Sequence, residues 1–251
     1  MNFFALAVLL PLLSGCGAKV PPEDGLGIIP AAKPVSENVK ENITYTLDAY
    51  DPWEGFNRNM YVFNYYFDKY FFLPVVSAYE FILPDYVEDR ISGIFNNLGE
   101  LKNFTNNLLQ LKFKRTAVTT GRFVVNSTIG LAGMYDPATH WGMARQKEDF
   151  GQTLGHYGVG AGPYLVLPVF GPSTLRDTSG LAVDGAIRMA AHDWVLQDVD
   201  NKSKVKDAIN IIGAIDARHQ TEFRYYQSGS PFEYELVRMI YLELRQIEIA
   251  K

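Results

Sequence analysis

The most informative stretch of the sequence is residues 51–72, which read DPWEGFNRNMYVFNYYFDKYFF. Ten of the last 20 of these residues are aromatic, whereas the whole 251-residue chain has 34 aromatic residues. Asp51, Pro52 and Glu54 stand in the order typical of a helix start, with an acidic N-cap, a proline at the first position and a capping-box glutamate. The stretch therefore predicts an aromatic helix at the start of the folded body.

The aromatic side chains of this predicted helix point in all directions. A helix that is apolar all round is either buried or lies in lipid. Trp and Tyr favour the headgroup level of a bilayer, because their rings are apolar and carry a polar group. A core helix and an interfacial helix both remain open here, although Asp68, Lys69 and Pro74 argue against a spanning one. The candidates for contact with the membrane interface are Trp53, Phe56, Tyr61, Phe63, Tyr66, Phe67 and Tyr70.

Apolar residues at three- and four-residue spacing predict most of the remaining body to be helical. Strand signals are scarce, and the best is Tyr164–Leu167, which Pro168 follows. We expect a mostly α-helical single domain over residues 49–251, with little β structure. The further predicted helices are 86–97, 99–112, 115–131, 175–195, 202–226 and 231–246, the last opened by a second capping box of Ser230 and Glu233.

The N-terminus has the features of an exported lipoprotein. An apolar run of 11 residues, 3–13, is too short to span a bilayer and fits the apolar core of a secretory signal. It ends in Leu-Ser-Gly-Cys at residues 13–16, which resembles the lipobox of bacterial lipoproteins. We expect residues 1–15 to be a signal peptide and Cys16 to carry the lipid. The proline-containing segment 16–48 is then a flexible tether.

Composition narrows the function classes. Cys16 is the sole cysteine, so no intramolecular disulfide is available and burial of apolar surface must hold the domain together. The formal net charge is −5, which offers no electrostatic footprint for nucleic acid.

No catalytic set is recognisable. The sequence lacks a Gly-x-Ser-x-Gly elbow, and Ser173 is better interpreted as a helix N-cap than as a nucleophile. The four histidines are well separated and lack metal-ligand spacing. We therefore predict neither catalytic residues nor a metal or other cofactor.

Asparagine recurs inside the predicted helices, although it is a mediocre helix former. Asn57, Tyr61 and Asn64 lie on one helical face at four- and three-residue spacing. Hydrogen bonding between elements would explain this pattern, and so would a neutral polar lining for lipid headgroups. The first use is the more common one, since buried polar groups normally pair. The same question applies to Asn96, Asn97, Asn103, Asn106, Asn107 and Asn126.

Beyond these features, the body resembles the MlaA/VacJ family of outer-membrane lipoproteins from Asp51 to about Arg245. The matching motifs are residues 51–61 with Phe63-Asn64, Arg122-Phe123, Asn126-Ser127-Thr128, the glycine-rich segment 149–160, Gly162-Pro163-Tyr164, Leu175-Arg176-Asp177, and the Pro231-Phe232 helix with Arg238 and Tyr241.

The resemblance implies a ring-like helical domain with amphipathic interfacial helices in the periplasmic leaflet of the outer membrane. Mislocalised phospholipids would pass through its polar channel to a soluble periplasmic carrier, which maintains lipid asymmetry, and a trimeric porin would be a partner. A scaffold that transports nothing and, more remotely, a phospholipase are the alternatives. The channel or motif candidates are Asn57, Asn64, Arg122, Asn126, His156, Tyr157, Gly158, Gly160, Tyr164 and Arg176.

Overall fold

The structure is a computed structural model that describes residues 50–197 and 200–251. The predicted signal peptide, Cys16 and the tether over residues 16–48 lie outside these ranges.

The described chain is mostly α-helical, as predicted, and its described residues contain one two-stranded antiparallel sheet. Tyr164 pairs with Thr174 and Leu167 with Gly171 across this sheet. The elements in chain order are α1 (Glu54–Phe67), a π-helical turn (Asp68–Phe72), α2 (Leu73–Ile82), α3 (Asp85–Leu109), α4 (Phe113–Thr128), α5 (Pro137–His140), α6 (Phe150–His156), β1 (Tyr164–Leu167), β2 (Gly171–Thr174), α7 (Leu175–Val195), α8 (Lys202–His219) and α9 (Glu233–Ala250).

Two predicted helix boundaries are wrong for identifiable reasons. The predicted helices 86–97 and 99–112 form the single helix α3, because Gly99 serves close packing and does not break the helix. A Cβ atom at Gly99 would lie 3.4 Å from the Arg145 guanidinium. The helix predicted to reach residue 226 ends at His219, where the Arg218 guanidinium donates to the carbonyls of Thr221 and Phe223.

Neither predicted capping box is complete. Ser230 Oγ accepts from the Phe232 N–H at 3.2 Å, but Asp51 and Glu233 serve longer-range contacts. Helices α1 and α9 have no side-chain hydrogen bond at their N-caps. Asp51 accepts from Asn57 Nδ2 at 2.8 Å and pairs with Arg238 of α9 at 3.0 Å. Glu233 accepts from the hydroxyl of Tyr61 at 2.8 Å. These contacts join the first helix of the domain to the last.

Two asparagines attach α1 to the free edge of β1. The Asn57 amide donates to the Tyr164 carbonyl at 3.0 Å and accepts from Val166 N–H at 2.8 Å. Asn64 contacts Leu167 O at 2.9 Å and Val169 N–H at 2.7 Å in the same way. Asn57 and Asn64 are seven residues apart on the helix, and Tyr164 and Leu167 are three residues apart on the strand. Both separations correspond to a rise of about 10 Å, so each amide can reach its partner on the strand edge. These contacts agree with hydrogen bonding between elements as the use of Asn57 and Asn64, and a lining role for them stays a prediction.

The interior of the domain is unusually polar. Among the described side chains, 27 polar or charged ones are buried, against eight apolar ones. Four of those eight are tyrosines, and three of them pack edge-to-face, Tyr61 against Tyr226 and Tyr234. Large apolar side chains such as Phe81, Phe170 and Leu244 are exposed instead. The usual distribution of a soluble domain is therefore inverted.

Helix α9 shows this inversion within one element. Its Ile240, Leu244 and Ile247 are exposed at four- and three-residue spacing, so they form an apolar stripe on the outside. Tyr241 and Arg245 lie on a different face of the helix, and their side chains donate to Asp177.

Arg245 is the centre of a polar cluster that joins three helices. It forms ion pairs with Asp149, the N-cap of α6, at 2.8 Å and with Asp177 of α7 at 3.0 Å. Burial alone would raise the pKa of Asp177, but the hydrogen bonds from Arg245, Arg176 and Tyr241 lower it to about 2.

Among the described residues, none of the helices is long and apolar enough to cross a membrane.

We expect Asn57→Leu to lower the free energy of unfolding by about 3 kcal/mol, because it leaves the buried Tyr164 carbonyl and Val166 N–H without partners. Guanidinium unfolding in detergent, followed by circular dichroism, measures the change. The matched control is Asn59→Leu, at an exposed position on the same helix. Equal effects of the two substitutions would contradict the proposed attachment of α1 to β1.

Candidate functional site

A polar cavity of about 480 Å³ lies between α3, α4 and the end of α8. Charged and amide side chains form most of its wall, and Met134 is its one large apolar member among the described residues. The lining residues are Asp89, Arg90, Ser92, Gly93, Asn96, Asn97, Glu100, Arg122, Asn126, Gly133, Met134, Asp136, Arg145, His219 and Gln220.

Glu100 organises one end of this cavity. Its side chain is 1% exposed and accepts from Arg122 Nε at 2.9 Å and from Asn103 Nδ2 at 3.0 Å. Arg145 Nε completes the group at 3.2 Å. Burial lowers the pKa of Arg145, and the charge of Glu100 opposes this effect. One buried carboxylate thus stabilises two guanidinium groups, which is the condition for burying them.

Arg122 connects the two long helices to the loop that follows α4. Besides Glu100, its guanidinium contacts Asp136 Oδ2 and Thr139 Oγ1, each at 2.9 Å. Asn126 donates to the other oxygen of Asp136 at 2.9 Å. Partial burial alone would raise the pKa of Asp136, but the hydrogen bonds from Thr139, Arg122 and Asn126 hold it well below its usual range. Arg122 and Asn126 therefore line the cavity, and their polar groups are hydrogen-bonded to other residues of the protein.

Arg90 is held differently at the opposite end of the lining. Its guanidinium lies between the rings of Tyr86 and Tyr135, 4.7 and 4.4 Å from their centroids. Its Nη1 donates to the Met134 carbonyl at 2.7 Å. The loop carrying Met134 contains Leu131 with φ of 53°, in the left-handed region that L-residues rarely adopt. The cation is thus fixed by aromatic faces and a backbone carbonyl.

His219 enters the cavity wall from the end of α8. Its Nδ1 lies 2.9 Å from Glu80 and its Nε2 3.5 Å from Glu88. Glu88 is buried, and this burial raises its pKa. Over residues 50–197 and 200–251, no group of His, Cys, Asp or Glu has an arrangement that could hold a metal ion.

Two of the ten channel or motif candidates, Arg122 and Asn126, line this cavity. Three others meet at the junction of α1 and β1, where Asn57 and Asn64 bond the strand and the Tyr164 ring is buried.

The remaining five channel or motif candidates lie around the end of α6 and the start of α7. Tyr157 is exposed, packs edge-on against His156 and donates its hydroxyl to the Leu109 carbonyl at 2.5 Å. Gly158 has φ of 84°, and a Cβ at Gly158 or Gly160 would meet open space. Arg176 is buried beside Asp177, and its Nη1 lies 3.4 Å from the Val159 carbonyl. This group is separate from the lining of the cavity.

Most membrane-interface candidates have accessible side chains. Trp53, Phe56, Phe63, Tyr66 and Tyr70 are exposed, and Phe67 is partly buried. Tyr61 was the exception, and its assignment is wrong, because it is 1% exposed and hydrogen-bonded to Glu233. Contact of the other six with lipid stays a prediction.

Several residues that line the cavity were not predicted from the sequence. Glu100 could have been found, since it shares a helical face with Asn97, Asn103 and Asn107, where the asparagine pattern was already visible. Arg90, Asp136 and Arg145 give no such signal, because they meet through tertiary contacts. Ser173, predicted as an N-cap, lies in β2, and Thr174 caps α7 instead.

We expect Glu100→Gln to reduce the free energy of unfolding by about 2–4 kcal/mol, since it leaves the buried Arg122 and Arg145 without their shared carboxylate. Chemical unfolding in detergent measures this loss. Glu222→Gln removes an exposed carboxylate and should change stability by less than about 0.5 kcal/mol. A Glu100→Gln protein as stable as this control would refute the role given to Glu100.

The chain is similar to several proteins of known sequence. An uncharacterized protein of Rickettsia bellii (strain RML369-C) is 34% identical over 184 residues, which cover 71% of this chain and 72% of that protein. An uncharacterized protein of Rickettsia prowazekii (strain Madrid E) is 39% identical over 131 residues, about half of each chain (52%). The intermembrane phospholipid transport system lipoprotein MlaA of Escherichia coli (strain K12) is 36% identical over 177 residues, which cover 64% of this chain and 69% of that protein.

The fold is also similar to a solved structure from work on the structural basis for maintenance of bacterial outer membrane lipid asymmetry. The TM-score is 0.61 and the identity 30%, and the match covers 80% of this chain and 100% of that one. The family model of the MlaA lipoprotein matches residues 49–248, which is nearly all of the described body. The chain therefore belongs to the MlaA lipoprotein family.

Proposed function

We propose that this protein is an outer-membrane lipoprotein that removes mislocalised phospholipids from the outer leaflet and passes them to a soluble periplasmic carrier, which maintains lipid asymmetry. The observation that carries the proposal is a polar cavity inside a domain whose exterior is largely apolar. The name of the relative from Escherichia coli, an intermembrane phospholipid transport system lipoprotein, supports it.

The apolar exterior suits a domain embedded at the level of one leaflet. Aromatic side chains cover one side of α1, and α9 adds its stripe of Ile240, Leu244 and Ile247. Exposed apolar surface of this extent is unfavourable in water and favourable against acyl chains. In the proposal, lipid on Cys16 fixes the compartment and the 16–48 tether connects it to the domain, whose exterior sets the depth in the periplasmic leaflet.

The cavity suits the polar end of a phospholipid. Its volume falls in the range of small-molecule sites, roughly 300–1,000 Å³. Its amides and paired charges can form hydrogen bonds with a headgroup. The headgroup would therefore not lose all of its polar contacts on leaving water. Moving the headgroup is the difficult part of lipid transfer, since acyl chains can remain in an apolar surrounding. No bond is broken in this function, and Ser173 is buried and bonded to the hydroxyl of Thr178.

A scaffold role is the second candidate, because exposed apolar surface would also suit contact with a trimeric porin. The two roles differ in whether the cavity must stay open. Asn96 and Gln220 both line the cavity, and Asn96 Nδ2 donates to Gln220 Oε1 at 3.4 Å. A short reducible crosslink between cysteines at these positions would therefore obstruct the cavity without altering the exterior.

We expect Asn96→Cys/Gln220→Cys, once crosslinked, to behave as a deletion in cells that carry it as the sole copy. Outer-leaflet phospholipid, measured by its cleavage by added phospholipase A2, should rise and should return to normal after reduction. The matched control is Asp193→Cys/Lys206→Cys, whose side chains meet at 2.6 Å on the surface between α7 and α8. Normal lipid asymmetry with the cavity pair verified as crosslinked would refute transport through the cavity and favour the scaffold.

A further inference from the structure

The charges that line the cavity divide into a paired and an unpaired set. The lining has three arginines and three carboxylates, so its formal charge is zero with His219 neutral. Arg122 and Arg145 pair with Glu100, and Arg122 also pairs with Asp136. Arg90 and Asp89 remain, one cation and one anion.

Arg90 has the properties of an anion-binding group that is held in advance. Within the described ranges, no carboxylate lies at ion-pairing distance from it. The rings of Tyr86 and Tyr135 stack on its faces, and their two hydroxyls are hydrogen-bonded to each other at 2.6 Å. Its Nη1 donates a hydrogen bond to the Met134 carbonyl. These contacts orient the guanidinium without neutralising it. A fixed guanidinium fork suits phosphate oxygens particularly well.

Asp89 supplies the opposite charge from the neighbouring position on α3. It is exposed to the cavity, and no cationic side chain of the described chain pairs with it. Successive residues of a helix do not face each other, so Asp89 and Arg90 do not neutralise one another. One cation and one anion therefore lie at adjacent helix positions in the cavity lining without forming an ion pair.

A third group on the same wall lacks a partner. Asn97 is 5% exposed and its Nδ2 donates to Ser127 at 2.9 Å, but its Oδ1 is buried without a hydrogen-bond donor. An unsatisfied buried acceptor of this kind is unfavourable unless a ligand or water supplies a donor.

We propose that the cavity recognises zwitterionic aminophospholipids, with the lipid phosphate at Arg90 and the primary ammonium at Asp89. This inference rests on the proposed function and specifies its substrate class. A phosphoethanolamine headgroup carries one negative and one positive charge separated by two carbons, and Arg90 and Asp89 offer one charge of each opposite sign in the same lining. A phosphatidylglycerol headgroup has the phosphate alone, so Asp89 would repel it.

The experiment measures binding of two water-soluble lipids, dihexanoyl phosphatidylethanolamine and dihexanoyl phosphatidylglycerol, to the full chain in detergent. We expect the wild type to bind the ethanolamine lipid about fivefold more tightly, a difference of ~1 kcal/mol. Asp89→Asn should abolish or reverse this ratio, since one negative charge is removed from the wall. Asp85→Asn is the matched control, because Asp85 lies on the same helix, is exposed and is outside the lining.

Arg90 is tested separately, because phosphate is common to both lipids. Arg90→Gln should weaken both of them by about tenfold and leave their ratio unchanged. Arg90→Lys keeps the charge near the two tyrosines and should lose less than the Gln variant. Thermal unfolding in the same detergent checks that each variant is folded.

The outcomes separate this inference from the proposed function. If the wild type binds the two lipids equally, or if Asp89→Asn keeps the preference of Asp85→Asn, headgroup recognition by this pair is refuted while lipid binding stands. If neither lipid binds the wild type, or if crosslinking Asn96→Cys to Gln220→Cys leaves binding unchanged, both the inference and the cavity as the lipid site fail.

Discussion

The fold depends on pairing hydrogen-bonding side chains inside the domain, a task that soluble proteins mostly avoid by burying apolar groups. Asn57 and Asn64 satisfy the edge of β1, and Glu100 and Arg245 each compensate more than one opposite charge. An unpaired member of such a network would be strongly unfavourable, so each partner constrains the others. Polar groups fill much of the interior, and many large apolar side chains lie on the exterior instead.

The same constraint explains how much could be predicted from the sequence. Helical periodicity located most helices, and Asn57 with Asn64 correctly indicated a polar face. Helical periodicity could not distinguish the buried from the exposed face of α1, because tyrosine occurs on both. Tyr61 was therefore assigned to the exposed face, although it is buried. Asp51 and Glu233 have the local spacing of capping boxes, but their partners are about 180 residues away in sequence, in contacts that spacing does not encode.

The cavity follows from the network and is not independent of it. Arg122 and Asn126 fix the loop after α4 through Asp136. This loop supplies Met134 and Tyr135, one of the two rings that stack on Arg90. The charges used for folding cancel among themselves, which leaves Arg90 and Asp89 available to a ligand. Exposed apolar side chains and a polar interior cavity are thus two consequences of one distribution of side chains.

The most direct test of this account is the environment of the exterior in a bilayer. A nitroxide label at Leu244→Cys, on the apolar stripe of α9, can be compared with one at Gln220→Cys in the cavity wall, both in a chain with Cys16 replaced by Ser. Relaxation by dissolved oxygen and by a water-soluble nickel chelate should show that oxygen dominates at position 244 and the chelate at position 220. Free access of the nickel chelate to position 244 would contradict an inverted domain embedded in lipid.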